Sequence, residues 1–295
     1  MNKSKVYFTK EITPASLVKM YKVLGKDLTG KVAVKVHSGE KGNQNYLKPE
    51  FLKELIDHVN GTIVECNTAY PGQRNSTKKH IKLMDDHGWS KCFNVDILDS
   101  EGPDLELNIP NGTVISKNYL GKNIQNYDSM LVVSHFKGHP MGGYGGAIKQ
   151  LSIGLASSKG KAWIHSAGVT KDTTLVWLRK APQDKFLEAM AESAASVVEY
   201  FKGNIVYINI MCNMSVDCDC CAKAEDPCIK DIGILSSTDP VAIDQACIDL
   251  VYKSNDTGKK HLIERIESRN GIHTIEASAT LNIGSREYEL INIDL

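Results

Sequence analysis

The sequence holds no apolar run long enough to span a bilayer, and its opening residues, M-N-K-S-K-V-Y-F-T-K-E, carry no apolar segment of the signal-peptide kind. It has no excess charge of either sign: 35 Lys and Arg stand against 35 Asp and Glu, a formal net charge of zero. A balanced chain of this kind lacks the dominant basic footprint of a nucleic-acid binder. There is no low-complexity tract, convincing repeat or long linker. The P-loop spacing and the dinucleotide fingerprint G-x-G-x-x-G are absent. So are the paired C-x-x-C of a zinc ribbon and the ferredoxin run C-x-x-C-x-x-C. The expectation is a cytoplasmic protein with neither a membrane nor a nucleic acid as partner. In that reducing compartment, clustered cysteines are more often metal ligands or redox groups than disulfides.

What is present suits a folded core, since 42% of the residues are hydrophobic. Strand-like and helix-like stretches alternate. Lys5–Phe8 reads as a strand, then Thr13 caps a helix with Pro14 at its first position. K-V-A-V-K-V-H at Lys31–His37 is a valine-rich strand, and a helix near Pro49 follows. Thr62–Cys66, Val95–Leu98, Ser129–Phe136 and Ile205–Ile210 read as further strands, with helices over Thr77–His87, Gln183–Phe201, from Pro240, and over Lys260–Ser268. Lys161–His165 reads as a brief strand or connector, and Thr170–Gln183 as a lid or contact surface. The alternation predicts an α/β fold with a mainly parallel or mixed sheet flanked by helices. The tail is expected to form a C-terminal antiparallel pair turning at Gly284-Ser285. One domain over 1–295 is expected, or two coupled halves, 1–125 and 126–295.

Five of the eight cysteines fall in one stretch, M-C-N-M-S-V-D-C-D-C-C-A-K-A-E-D-P-C, from Met211 to Cys228. Apolar runs lead into it and out of it, so a thiol-dense loop is expected between two core strands. Adjacent cysteines such as Cys220 and Cys221 form a disulfide only with strain. Thiolates favour zinc, copper(I) and iron–sulfur clusters. Three cysteines around a cluster leave one iron open to a ligand, whereas zinc with three or four thiolates suggests a structural or hydrolytic site. Cys218, Cys220, Cys221 and Cys228 are the candidate metal ligands. Cys247 falls on the apolar face of its helix and reads as a core thiol, while Asp244 and Asp249 read as helix-surface charges.

A second stretch, S-H-F-K-G-H-P-M-G-G-Y-G-G-A-I-K, runs from Ser134 to Lys149. Gly142, Gly143, Gly145 and Gly146 precede an apolar helix, a pattern that turns backbone N–H groups toward an anion. Lys137 adds a donor, and His135, His139 and Lys149 are candidate acid–base groups. In parallel sheets, ligands favour the loops at the carboxyl ends of strands. That rule adds His37 and Arg74, with Ser38, Glu40, Lys41, Cys66, Asn67 and Tyr70 as neighbours.

Together the motifs resemble a known family. V-K-V-H-S-G-E-K-G-N at Val34–Asn43, N-T-A-Y-P-G-Q-R-N at Asn67–Asn75, S-H-F-K-G-H at Ser134–His139 and G-G-A-I-K-Q-L-S-I-G at Gly145–Gly154 carry the likeness. C-D-C at Cys218–Cys220 and D-I-G-I-L-S-S-T-D-P-V-A-I-D-Q-A at Asp231–Ala246 complete it. The chain resembles the uncharacterised iron–sulfur-centre proteins, also called domain of unknown function 362. The resemblance implies an α/β fold and an iron–sulfur association, and it brings no established reaction. Many similar members carry a ferredoxin-like insert after the stretch matching Lys161–Ser166. Here that place reads A-G-V-T-K-D-T-T-L-V-W-L-R-K-A-P, without cysteine.

The resulting expectation is an iron–sulfur-associated protein with a redox or Lewis-acid role on a small anionic molecule, or with a redox partner protein. As an enzyme it would be an oxidoreductase or lyase. The competing expectations are a non-catalytic zinc-binding or metal-sensing module, and a metal-free enzyme using the glycine loop for a phosphorylated ligand.

Overall fold

The computed structural model describes residues 3–178 and 181–294. The elements run in the order β1 (Ser4–Thr9), α1 (Pro14–Lys22), β2 (Val32–Lys35), α2 (Pro49–His58), β3 (Gly61–Glu65), α3 (Thr77–Asp86), α4 (Trp89–Cys92) and β4 (Val95–Ile97). Then come β5 (Leu105–Asn108), β6 (Lys117–Leu120), β7 (Ser129–His135), β8 (Lys137–His139), β9 (Gly143–Gly145), α5 (Ala147–Leu151), α6 (Ser158–His165) and α7 (Gln183–Phe201). The remainder is β10 (Ile205–Met211), β11 (Gly233–Ser237), α8 (Pro240–Lys253), α9 (Lys259–Ser268), α10 (Ile272–Thr280) and β12 (Tyr288–Asn292).

One eight-stranded sheet, ordered β12-β1-β11-β10-β7-β2-β3-β4, organises the molecule. Its strands run parallel except β11, which is antiparallel to both β1 and β10. The α/β class and the mainly parallel, helix-flanked sheet expected from the sequence are both present. Every residue of β7 and of β10 is buried, as continuous apolar runs require when helices cover both faces. Alternation along β10 sorts its side chains. Val206, Ile208 and Ile210 pack with Leu17 and Met20 of α1 and Leu52 and Leu55 of α2. Ile205, Tyr207 and Met211 pack with Ile148 of α5, Val197 of α7 and Ile243 of α8 on the other face. Cys247 is fully buried in that second layer, as its helical position implies.

Local chemistry sets several boundaries. Thr13 accepts from the Ser16 N–H at 3.1 Å, and Asp239 accepts from the N–H groups of Val241 and Ala242 at 2.8 and 2.9 Å. Two stretches differ from expectation. Lys161–His165 lies in α6, which starts where Ser157 accepts from the Gly160 N–H at 3.0 Å. Among the described residues the tail forms no antiparallel pair. Ile272–Thr280 is helical, burying Thr274, Ile275 and Ser278 at helical spacing, and β12 joins β1 in parallel. The alternation of T-I-E-A-S-A-T suggested a strand, but its alanines suit a helix and β1 offers a free sheet edge.

No helix among the described residues is long and apolar enough to cross a membrane.

Candidate functional site

Because β2, β3, β7 and β10 are parallel, their carboxyl ends open on one side of the sheet. The cysteine loop connects β10 to its antiparallel neighbour β11, so both of its ends also stand there. Neighbouring loops fix it in place. Gly138 N–H donates to Ser215 O at 2.8 Å, Glu40 N–H to Asp219 O at 2.8 Å and Asn43 Nδ2 to Cys221 O at 2.9 Å. Arg265 of α9 donates to Val216 O at 2.8 Å. Gly138 has no room for a side chain, since a Cβ there would lie 2.3 Å from Val216 O. These contacts turn Cys218-Asp219-Cys220 inward.

Asp219 anchors the turn. Its buried carboxylate meets Lys137 Nζ at 2.7 Å and His135 Nδ1 at 3.0 Å. The opposite ring nitrogen of His135 lies 2.6 Å from Cys212 O, so both nitrogens face acceptors. Burial alone would raise the Asp219 carboxyl, but His135 and Lys137 hold it well below the usual range. His135 and Lys137 therefore position the loop from behind.

Cys218 is fully buried and surrounded by donors. Lys149 Nζ lies 3.5 Å from its sulfur and the Cys220 N–H 3.4 Å. Burial opposes its ionisation. The Cys220 thiol, Lys149, His139 and His37 overcome that and hold the Cys218 thiol well below its ordinary value. Cys220 moves the other way, raised first by its bond to Cys218 and next by that to Cys221. The pair reads as thiolate and thiol sharing a proton.

His139, Cys218 and Cys220 bring three ligand atoms within 4.8 Å of one another, the spacing of a metal site. The ring of His139 is oriented by backbone: its Nδ1 accepts from Gly142 N–H at 2.8 Å and Met141 N–H at 3.2 Å. Those partners place the neutral ring's proton on Nε2, which faces the sulfurs at 3.9 Å from Cys220 Sγ. Gly39 N–H donates to His37 Nδ1 at 3.2 Å in the same manner. Burial holds both imidazoles low, His37 to about 4, so each is neutral near pH 7.

Cys220, His139, His37 and Lys149 line a cavity of about 260 Å³. Its other charged groups are mainly cationic, with Lys35, Arg74 and Lys161 against one carboxylate, Glu65. Glu65 pairs with Lys35 at 2.7 Å and with Arg74 at 3.6 Å; Arg74 also meets Glu40 at 3.4 Å and Tyr70 Oη at 2.7 Å. Against the cost of burial, Lys35, His37 and Arg74 hold Glu65 well below the carboxylate range. Met141, Ile153 and Trp177 supply apolar wall. Arg179 and Lys180, in the segment expected to form a lid, lie outside the described residues.

The structure thus gathers His37, Arg74, His139, Lys149, Cys218 and Cys220 into one place, with Cys221 touching Cys220. Cys228 stands apart, its sulfur on Met214 O at 3.4 Å. The first N–H groups after the glycine stretch are not free for an anion. Asp244 accepts from Ala147 N–H at 2.7 Å and Ile148 N–H at 3.0 Å, capping α5 from within the chain. Gly143 instead lets α9 and α10 approach, its would-be Cβ lying 2.9 Å from Gly271 Cα at φ +81°. Gly142 and Gly145 lie in the same turn as packing positions. Asp244, expected on a helix surface, is fully buried.

Sequence reasoning missed Lys35, Glu65, Lys161 and His165. The first two did leave a signal, a charged residue ending each of two otherwise apolar strands. Lys161 and His165 left none beyond their spacing.

The fold and site together define an α/β protein with a thiolate–imidazole centre at the carboxyl ends of a parallel sheet. The chain belongs to the family Domain of unknown function (DUF362), whose sequence profile matches residues 32–249. Among curated proteins none matches. Two solved structures are similar in outline. The lactate racemase apoprotein from Thermoanaerobacterium thermosaccharolyticum is 14% identical at a TM-score of 0.39, over 69% of this chain and 50% of that one. A Thermotoga maritima protein is 9% identical at a TM-score of 0.42, over 90% of this chain and 58% of that one. The chain therefore spans between half and three fifths of their lengths.

Proposed function

We propose that this protein holds a thiophilic metal ion on Cys218 and Cys220 and uses it on a small anionic molecule in the adjoining cavity. The observation that supports this best is the convergence of two cysteines and an imidazole on a cationic, partly apolar cavity. The donor set fits such an ion: two sulfurs stand together, the Cys218 thiol is held well below its ordinary value, and metal binding displaces thiol protons. His139 and His37 then act as N–H donors to the sulfurs, because a ligating ring normally donates through its other nitrogen and these accept there. Lys149 compensates thiolate charge. Arg74, locked by Glu40 and Glu65, keeps that wall rigid. When bound, the ion supplies a Lewis acid or redox centre beside the cavity.

Metal analysis of protein purified anaerobically without chelator tests this. About one ion per chain is expected, lost in Cys218→Ser and Cys220→Ser and retained with weaker affinity in His139→Gln. Failure to retain zinc, iron, nickel or copper after reconstitution would overturn it.

One observation favours an iron–sulfur cluster as second reading: Cys221 reaches Cys220 and offers a third thiolate. Uptake of iron and sulfide in equal amounts, abolished by Cys221→Ser, would decide for the cluster. Stoichiometric zinc that survives that substitution would decide for the single ion.

A further inference from the structure

We infer that the cavity contains a carboxylate subsite formed by Lys161 and His165 of α6, so that the molecule it takes is a small carboxylic acid anion. The inference deepens the reading of the cavity as a ligand site and does not depend on the metal. It starts from unanswered groups. Lys35 and Arg74 are matched by Glu65 and Glu40, and Lys149 faces the Cys218 sulfur at 3.5 Å. Lys161 is only 7% exposed, yet its single partner is the Ala156 carbonyl at 2.6 Å. No carboxylate among the described residues stands within ion-pair distance of it. A buried ammonium without a counter-ion is costly, and a ligand anion removes that cost.

His165 follows one helical turn later, on the same face of α6. Its ring is stacked on Phe186, with centroids 4.8 Å apart and planes at 13°, and lies 5.4 Å from Trp177. That packing fixes its orientation. The ring lines the cavity, and burial beside His139, Lys149 and Lys161 holds it down to about 3, so it stands there as a neutral imidazole with one N–H to donate.

Two features narrow the ligand. The cavity of about 260 Å³ falls below the roughly 300–1,000 Å³ of drug-sized sites, which suits a molecule of a few carbons. The first N–H groups of α5, where a phosphate would find a nest, are taken by Asp244. Two side-chain donors and apolar walls at Met141, Ile153 and Trp177 fit a carboxylate on a short carbon chain.

Calorimetric titration of the metal-loaded protein with propionate, propionamide and inorganic phosphate tests this, with metal content measured on the same samples. Propionate is expected to bind at least about tenfold more tightly than the amide or phosphate. Lys161→Met should weaken propionate roughly tenfold to a hundredfold, and His165→Phe, which keeps the stack, several-fold, both with metal retained. Equal binding of the amide, preference for phosphate, or an unaltered Lys161→Met variant would overturn the subsite. Metal retention without propionate binding would sink the subsite and leave the metal reading standing. Propionate binding through Lys161 in a chain that holds no metal would do the reverse. Should Lys161→Met fail to fold, the ranking of the three probes on the unmodified protein decides alone.

Discussion

Two carboxylates, Asp219 and Asp244, are both buried and both bind a loop or helix end close to the cavity, yet their surroundings differ. Asp219 faces two cationic partners, Lys137 and His135. Asp244 faces only neutral donors: the N–H groups of Ala147 and Ile148, Asn209 Nδ2 at 2.7 Å and Tyr144 Oη at 3.2 Å. Burial pushes Asp244 up to about 6, while the charges around Asp219 keep it low. The protein thus concentrates charge beneath the cysteine loop and builds the glycine turn as a near-neutral scaffold.

The largest expected effect comes from removing the charged anchor. Asp219→Ala leaves Lys137 and His135 facing each other in a buried site, and breaking such an arrangement costs about 3–5 kcal/mol. Urea denaturation at pH 7 should show the midpoint falling accordingly. A change under about 1 kcal/mol, the scale of an exposed pair, would mean that the loop is not held by charge.

The second effect separates the two carboxylates by pH. A carboxyl raised in the folded state from 3.8 to about 6 favours folding while protonated. Its contribution is present below the unfolded value and is lost as pH rises through about 6. A depressed carboxyl such as Asp219 does the opposite, losing its contribution as pH falls below the unfolded value. Between pH 4 and 7, the parent should therefore lose about 2.4 kcal/mol relative to Asp244→Asn, which cannot titrate. Unfolding curves of both chains across that range give the difference directly. A constant offset would show that Asp244 ionises normally.

Much of this arrangement was legible in the sequence, for identifiable reasons. The buried strands β7 and β10, helix α7 and the Asp239–Pro240 start of α8 each carry their own local signal, and the structure places them as expected. Cys218 and Cys220 stood out because thiols are rare and clustered. Lys161, His165 and Asp244 did not, since what defines them lies far along the chain. Asp244 caps residues about a hundred positions earlier, and no spacing rule reaches that distance. The same holds for β12, whose partner is β1 at the opposite end of the sequence. The four glycines misled because a helix start rich in glycine looks alike whether an anion or an internal carboxylate fills it.

The smallest effect tests that last ambiguity. A Cβ on Gly146 would lie 2.4 Å from Asp244 Oδ1, so Gly146→Ala must displace a carboxylate that holds Ala147, Ile148 and Asn209. The expected cost is about 1–3 kcal/mol. A Cβ on Gly145 would meet nothing closer than Lys149 Cδ at 3.4 Å, the flexible stem of a long side chain. Gly145→Ala should therefore change stability by less than about 0.5 kcal/mol. Thermal unfolding of the two variants at pH 7 compares them. If Gly145→Ala left stability alone but weakened ligand binding, the turn would touch the ligand after all, and its glycines would do more than pack. If both variants were silent, Asp244 would not be the rigid cap that its four hydrogen bonds imply.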